Sequence, residues 1–382
     1  MSTHADLAER VALSLIAADA KLFRDLALDL RFEPIRPIAV LALLPFLSAF
    51  VYESAKYIRR TGAATVRMPP HEEMLLASRM RFKLTEDKYR SSAEVLENAE
   101  ELSAVNSGGF LEGHRGLLGP LKRLIQPDLG LLFLEDEVVC TTHVAFLNLG
   151  ITKQDLSDSS LSLDTLGPHL WDTMTGVGEY VGLLLDRLGE DAQALSGASE
   201  ARLEPMQYRD VKSLGFYESI ASRVAPGHNG VSILMTQMLS QVNTARVLVP
   251  KLATRHKTAA FKIRFVSLFQ TALGLRKLLD EERGAHFLQP DAIEVLGEML
   301  ASTYVRDVLE KRDLRNTLVH YGVGRRVASR LSLRLPLYGL VEAHAEGHTF
   351  TELSEKVEAG LDCISQGLRD LLPEIPTPQG TL

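Results

Sequence analysis

One short segment of the chain, Arg315-Asn316-Thr317-Leu318-Val319-His320, combines three side chains that can act on a phosphodiester. Its length corresponds to about one and a half turns of helix. A guanidinium binds phosphate oxygens, an amide orients a hydroxyl, and an imidazole transfers protons near neutral pH. When no metal ion takes part, a ribose 2′-hydroxyl needs groups of these three kinds to attack its neighbouring phosphate.

Helical spacing predicts how these side chains are arranged. Asn316 and His320 are four residues apart, so they share one helical face, and Arg315 lies about 100° to one side of Asn316. Leu314 and Leu318 supply the apolar side that faces the protein. We therefore expect the three polar groups to project together from a helix that its leucines anchor.

The Arg-x4-His spacing by itself discriminates poorly, because Arg223 and His228 show it as well. Pro226 and Gly227 interrupt that second segment, so it is not expected to form one helical face. The alternative for the first segment is a surface arginine followed by a histidine that complements the helix dipole. Helical context, and not spacing, separates the two interpretations.

The segment LRNTLVHYG resembles the Arg-Asn-x3-His form of the HEPN superfamily of helical bundles. The surrounding pattern is similar too, with a long helix, a shorter helix, the motif late in a third helix and a closing amphipathic helix over roughly residues 256–372. The resemblance implies a homodimer in which two motifs form one composite site. It also implies a metal-independent endoribonuclease without cofactors, which leaves a 2′,3′-cyclic phosphate and a 5′-hydroxyl.

By this resemblance, Arg315 would hold the scissile phosphate, Asn316 would orient a hydroxyl or phosphate oxygen, and His320 would transfer the proton. Related proteins act as toxins with cognate antitoxins, in phage defence or in RNA processing, which implies RNA and a regulatory protein as partners. Some members only bind RNA, nucleotides or proteins, and that remains the alternative. The chain departs from the common pattern at Tyr321, where many members have glycine, and by an apparent hairpin insertion after the motif.

The charge of the chain is unevenly distributed. The formal net charge is -7, which argues against a general nucleic-acid binder. Residues 255–330 nevertheless contain fourteen Lys or Arg against nine Asp or Glu, a local balance of +5. The candidates for contact with RNA flank the motif, where the alternative is a solvated charged face; they are Lys311, Arg312, Tyr321, Arg325 and Arg326.

Apolar spacing predicts a mainly α fold. Residues 1–250 read as a helical region of unknown role with a break near 101–110, residues 251–372 as the HEPN-like bundle of four or five helices, and 373–382 as a flexible tail. Outside the bundle we expect helices at about 5–30, 71–100, 165–190, 205–224 and 229–250. Within it we expect them at 258–282, 290–302, 305–320 and 349–372.

Two segments invite a strand assignment. The alternation of Leu331, Leu333 and Leu335 predicts a strand at 330–335 that forms a hairpin with 340–343. The apolar run 131–139 fits a buried strand or a buried helix, and periodicity does not decide between them.

Location and metal content are also addressed by the sequence. Two distant cysteines, Cys140 and Cys363, offer no disulfide framework, so we expect a cytoplasmic protein. The apolar segment 38–52 is short for a bilayer span, so we expect no stable membrane insertion. A buried core helix is favoured there, with contact at a membrane surface as the alternative. His344 and His348 have metal-like spacing across a glycine turn, and we expect no metal there.

Overall fold

The computed structural model describes residues 4–29, 36–69, 72–82, 127–144, 149, 163–190, 206–345, 347–372, 375–378 and 380–381. The chain is mainly α, as predicted. Its described helices in chain order are α1 (His4–Asp29), α2 (Arg36–Thr61), α3 (Glu72–Phe82), α4 (Leu163–Arg187), α5 (Ser213–Val224), α6 (Asn229–Asn243), α7 (Val249–Leu252), α8 (Lys257–Ala285), α9 (Pro290–Ala301), α10 (Thr303–Leu309), α11 (Arg312–His320), α12 (Arg325–Ala328), α13 (Leu340–His344) and α14 (Phe350–Leu371).

A small antiparallel sheet accompanies these helices. Its strand order is β2-β1-β3-β4, and the strands are β1 (Leu129–Leu134), β2 (Glu137–Thr141), β3 (Gln207–Val211) and β4 (Gly380–Thr381). The undecided run 131–139 is thus a hairpin. Glu135 and Asp136 connect its strands with φ values of 52° and 63°, the left-handed conformation that a two-residue hairpin turn needs.

The helix predicted at 205–224 begins later than expected, because its first part is strand β3. β3 pairs with the free edge of β1, with Leu131 opposite Arg209, and those hydrogen bonds outweigh local helical spacing. Asp128 fixes the change from strand to helix, since its carboxylate accepts from the Ser213 backbone N–H at 2.7 Å and from the Ser213 hydroxyl at 2.9 Å.

The hairpin predicted over 330–343 is wrong, because a 3₁₀ turn (Pro336–Gly339) and α13 occupy that place. The Ser332 N–H donates to the Tyr338 carbonyl at 2.9 Å, which closes a compact loop and not a ladder. Leu333 is 56% exposed, so the alternating leucines do not line a buried sheet face. Leu337, Leu340 and Val341 are buried instead, at helical spacing.

The single helix predicted over 305–320 is divided in two. Lys311 adopts φ −89° and ψ 44°, which ends α10 and starts α11 in a new direction. The motif therefore lies on a separate helix of nine residues. Such a short helix depends on tertiary packing for its stability.

The proposed division at residue 250 stays a prediction. Beyond its regular part, α6 continues as a π turn (Thr244–Leu248) into α7, which ends at Leu252. Most of the described buried apolar side chains form one cluster, which extends from Val11 in α1 to Leu372 after α14. Within the predicted tail, the described pair Gly380–Thr381 is hydrogen-bonded to β3.

Helix α2 contains the apolar segment for which a membrane contact was the alternative. Residues Val40–Thr61 are long and apolar enough to cross a bilayer, but 78% of the apolar window is buried inside the protein. Core helices of soluble proteins pass the same test, so membrane behaviour stays a prediction.

The closing helix α14 begins with the capping box that the sequence predicts. The Thr349 hydroxyl accepts from the Glu352 N–H at 3.3 Å, and the Glu352 carboxylate accepts from the Thr349 N–H at 2.8 Å. Two N–H groups that the first turn of a helix leaves unpaired are thereby satisfied.

We expect Thr349→Ala to lower the free energy of unfolding by about 1 kcal/mol, because the Glu352 N–H loses its acceptor. Thr349→Ser keeps the hydroxyl and serves as the matched control, with a change well below that of the alanine variant. Urea denaturation followed by circular dichroism measures both. Equal stability of the alanine and wild-type proteins would contradict the importance of the cap.

Candidate active site around His320

Helix α11 carries the motif and packs against α2, α8 and α13. Leu314 and Leu318 are fully buried, while Asn316 and His320 are partly exposed. Because three elements fix α11 from different sides, its polar face has a defined orientation. The amphipathic placement predicted from the spacing is confirmed for these four residues.

His320 is held by a carboxylate from the N-terminal region. Its Nδ1 lies 2.8 Å from Oε2 of Glu53 in α2, and the histidine side chain is 37% exposed. Among the described residues, Glu53 is the hydrogen-bond partner of the His320 ring. Since an ionised carboxylate only accepts, Nδ1 is the donor in this contact, and Nε2 is the ring nitrogen that Glu53 does not engage. The ring is thus oriented for proton transfer through Nε2.

Glu53 is almost completely buried and remains charged because of its partners. Nε of Arg79 in α3 donates to Oε1 of Glu53 at 2.7 Å, and Nη2 of Arg79 contacts the same oxygen. Burial opposes ionisation of Glu53, but the hydrogen bond from His320 and the charge of Arg79 outweigh it and lower the pKa from 4.5 to about 2. The carboxylate is therefore anionic throughout the neutral range.

Arg315 does not project with the other motif residues as expected. It is only 4% exposed, its guanidinium lies 5.5 Å from the ring centre of Phe269, and Nη1 donates to Oδ1 of Asn316 at 3.0 Å. The amide of Gln270 faces the guanidinium, and with its oxygen on that side it accepts from Nε at 3.2 Å. These two side chains of α8 fix Arg315, and Arg315 in turn fixes the amide of Asn316.

The prediction that Tyr321 binds RNA is wrong for this structure, because the side chain is fully buried. Tyr321 ends α11 with φ 57°, and its hydroxyl donates to Oδ2 of Asp19 in α1 at 2.7 Å. Lys262 of α8 donates to the same hydroxyl at 3.0 Å and lies over the ring at 4.1 Å. Tyr321 anchors the end of the motif helix to two others.

The anchor is a buried ionic cluster, since Lys262 also pairs with Asp19. Burial lowers the pKa of Lys262, against the opposing charge of Asp19. Burial and the nearby Asp19 carboxylate raise the pKa of Tyr321 well above its ordinary value. The phenol therefore stays protonated and acts as a hydrogen-bond donor. A glycine at this position would leave Asp19 and Lys262 without that bridge.

The other candidates for RNA contact lie at the surface around α11. Arg312 and Arg326 are exposed, and Lys311 is partly exposed. Arg325 begins α12, and its side chain lies outside the described part of the structure. Their positions agree with a role in binding the RNA backbone, which stays a prediction.

The second Arg-x4-His segment does not form a comparable site. Arg223 lies in the last turn of α5, and His228 is the residue that precedes α6. The helix ends between them, as Pro226 and Gly227 predict. His228 contacts Phe287 and has no carboxylate partner among the described residues.

The two histidines with metal-like spacing have separate partners. Nε2 of His344 lies 3.1 Å from the Thr317 hydroxyl, and Nε2 of His348 lies 2.9 Å from Nζ of Lys356. Among the described residues, no group of three or more His, Cys, Asp or Glu side chains is placed to hold a metal ion.

Sequence reasoning missed Glu53, Gln270 and Asp19, although one signal was present for Glu53. It is the single carboxylate among residues 36–61, which contain the apolar segment 38–52. A carboxylate in such a helix is rarely buried without a partner. Its identity as the partner of His320, 267 residues away, is not contained in any local pattern.

No protein-family model, curated protein or solved structure matches this chain. The interpretation of the site therefore depends on its own residues and their geometry.

The depressed pKa of Glu53 predicts a pH-dependent contribution to stability. A carboxylate whose pKa falls on folding stabilises the protein above its unfolded value near 4.5, and this contribution is lost as the pH falls toward about 2. We expect Glu53→Gln to cost on the order of 3 kcal/mol at pH 7, and less at pH 3. Urea titrations at both pH values measure the difference.

Glu355→Gln, at an exposed position of α14, is the matched control and should change little at either pH. A deficit of Glu53→Gln that is the same at pH 7 and pH 3 would contradict a role for the ionised carboxylate.

Proposed function

We propose that this protein is a metal-independent endoribonuclease of the HEPN type. The observation that supports it best is the pairing of His320 with buried Glu53, which orients a partly exposed imidazole beside Asn316 on one helical face. A histidine with a structural role alone needs neither a buried carboxylate partner nor a solvent-exposed ring.

In the proposed reaction His320 is the proton acceptor and Glu53 is its charged partner. Nε2 of His320 accepts the proton of a ribose 2′-hydroxyl, whose oxygen attacks the adjacent phosphorus. The bond from phosphorus to the 5′-oxygen breaks, that oxygen takes a proton from a water molecule, and the imidazolium of His320 returns its proton to the resulting hydroxide. The products are a 5′-hydroxyl and a 2′,3′-cyclic phosphate. Glu53 stabilises the imidazolium that forms, by the same principle as the acid of a catalytic triad.

Asn316 is the polar neighbour that orients the hydroxyl or a phosphate oxygen, and Arg315 holds its amide at 3.0 Å. Arg315 also brings a positive charge into a wall of low dielectric constant, where it stabilises developing negative charge more strongly than in water. Lys311, Arg312 and Arg326 are proposed to bind the RNA backbone. Each would add a salt-sensitive contact.

The proposal includes a cytoplasmic homodimer in which two copies of α11 contribute to one site, and a role in toxin activity, phage defence or RNA processing under a regulatory protein. Light scattering on the purified full chain measures the mass in solution. A monomer at concentrations where cleavage is observed would contradict the composite site.

A second candidate function is a non-catalytic module that binds RNA, a nucleotide or a protein. The burial of Arg315 favours it, since an arginine held by Phe269 and Gln270 reaches a scissile phosphate less directly than an exposed one. This candidate predicts binding of RNA without any cleavage.

We expect the purified protein to cleave labelled RNA in excess EDTA, and His320→Ala to abolish cleavage because the proton acceptor is lost. His228→Ala is the matched control, because it removes the histidine of the second Arg-x4-His segment. Analysis of product ends should show a cyclic phosphate. RNA that is bound but never cut by the wild type would support the binding module.

We expect Glu53→Gln to reduce kcat at least about tenfold, because the neutral amide no longer stabilises the imidazolium. KM for RNA should change little, since Glu53 is 2% exposed and does not reach the substrate. Single-turnover kinetics on folded variant protein separate the two parameters. An unchanged kcat would contradict the proposed role of Glu53.

A further inference from the structure

A recess lies at the N-terminal end of α8, away from the loop that leads into α9. It is formed by α1, by the turn at Thr254–Lys257 that starts α8, and by Tyr338, and its volume is about 410 Å³. Small-molecule sites in proteins are commonly about 300–1,000 Å³. His320 and Asn316 are not among the residues that line it, so it is separate from the candidate active site.

The charge of this recess has the opposite sign to that of the whole chain. Lys21, Arg255 and Lys257 line it with one carboxylate, Glu190, so three cations against one anion give +2 in a protein of net charge -7. Glu190 is paired with Lys21 at 2.6 Å. A concave surface concentrates such a potential and attracts anions.

Uncharged groups in the recess favour a phosphate as the anion. Three residues with hydroxyl groups, Ser14, Thr254 and Thr258, are among those that line it with the cations. The N-cap residue of α8, His256, makes no side-chain capping bond and directs its ring to Asp25 at 2.8 Å instead. Cations, hydroxyls and the start of a 29-residue helix together match the several acceptor oxygens of a phosphate monoester.

Tyr338 adds an aromatic residue to the lining of the recess. Leu337 and Tyr338 have φ values of 48° and 58°, an uncommon conformation for bulky residues. The backbone is held there because Ser332 N–H donates to the Tyr338 carbonyl and Tyr338 N–H donates to the Leu335 carbonyl at 3.0 Å. The loop thus fixes the backbone of Tyr338 at the recess that this residue lines, and its aromatic side chain is the group on which a base would stack.

We propose that this recess binds a nucleoside monophosphate, with its phosphate at Lys257 and Arg255 and its base against Tyr338. The inference goes beyond the proposed ribonuclease activity and does not depend on it, because the ligand is bound and not cleaved. His320→Ala protein should bind it as wild type does.

Isothermal titration of the full chain with 5′-AMP tests the proposal, with inorganic phosphate and adenosine as separate ligands. We expect 5′-AMP to bind, and Lys257→Glu to weaken its binding at least about tenfold. Tyr338→Leu should weaken 5′-AMP but leave phosphate unchanged. Arg276→Glu, an equal charge change at an exposed position of α8 outside the recess, is the matched control.

Three results would overturn the proposal. They are absence of 5′-AMP binding to the wild type at millimolar concentration, binding of adenosine as tightly as 5′-AMP, and an equal loss of affinity in Lys257→Glu and Arg276→Glu. Phosphate binding as tight as that of 5′-AMP would overturn the role of Tyr338. Thermal melting of each variant confirms that the compared proteins are folded.

Discussion

The site depends on one buried charge, the carboxylate of Glu53. A carboxylate that is 2% exposed in an apolar helix is tolerated only with charged partners, because its desolvation costs several kcal/mol. Arg79 of α3 and His320 of α11 provide them. This requirement fixes α2, α3 and α11 relative to one another. The carboxylate that needs charged partners for stability is therefore also the group that orients the imidazole for the proposed chemistry.

Tyr321, which follows His320, also contacts buried charged groups of other helices. Tyr321 bridges Asp19 of α1 and Lys262 of α8, so consecutive residues bind the end of α11 to different helices. Breaking a buried pair by removing one partner is costly, which leaves the motif little freedom to rotate. Arg315 is held in turn by Phe269 and Gln270 of α8. The precision of the site comes from helices distant in sequence.

Local patterns predicted the mainly helical fold, and they predicted the start of α14, where Thr349 and Glu352 form the expected capping box. They also indicated Asn316 and His320 on one face of a helix. They failed where a distant partner decided the outcome. Residues 207–211 are a strand because β1 offers them an edge, and Tyr321 is buried because Asp19 and Lys262 need its hydroxyl. The alternation of Leu331, Leu333 and Leu335 was misleading, since a strand without a partner gains no ladder hydrogen bonds.

The sequence separation within these contacts has a consequence for the order in which the site is made. The contacts Glu53–His320 and Asp19–Tyr321 span 267 and 302 residues. During synthesis, the carboxylates of α1 and α2 leave the ribosome long before the residues that neutralise them. The site is therefore completed only after α11 has emerged. A chain that is truncated before α11 lacks His320 and Tyr321, and it leaves the buried carboxylates of Glu53 and Asp19 without those partners.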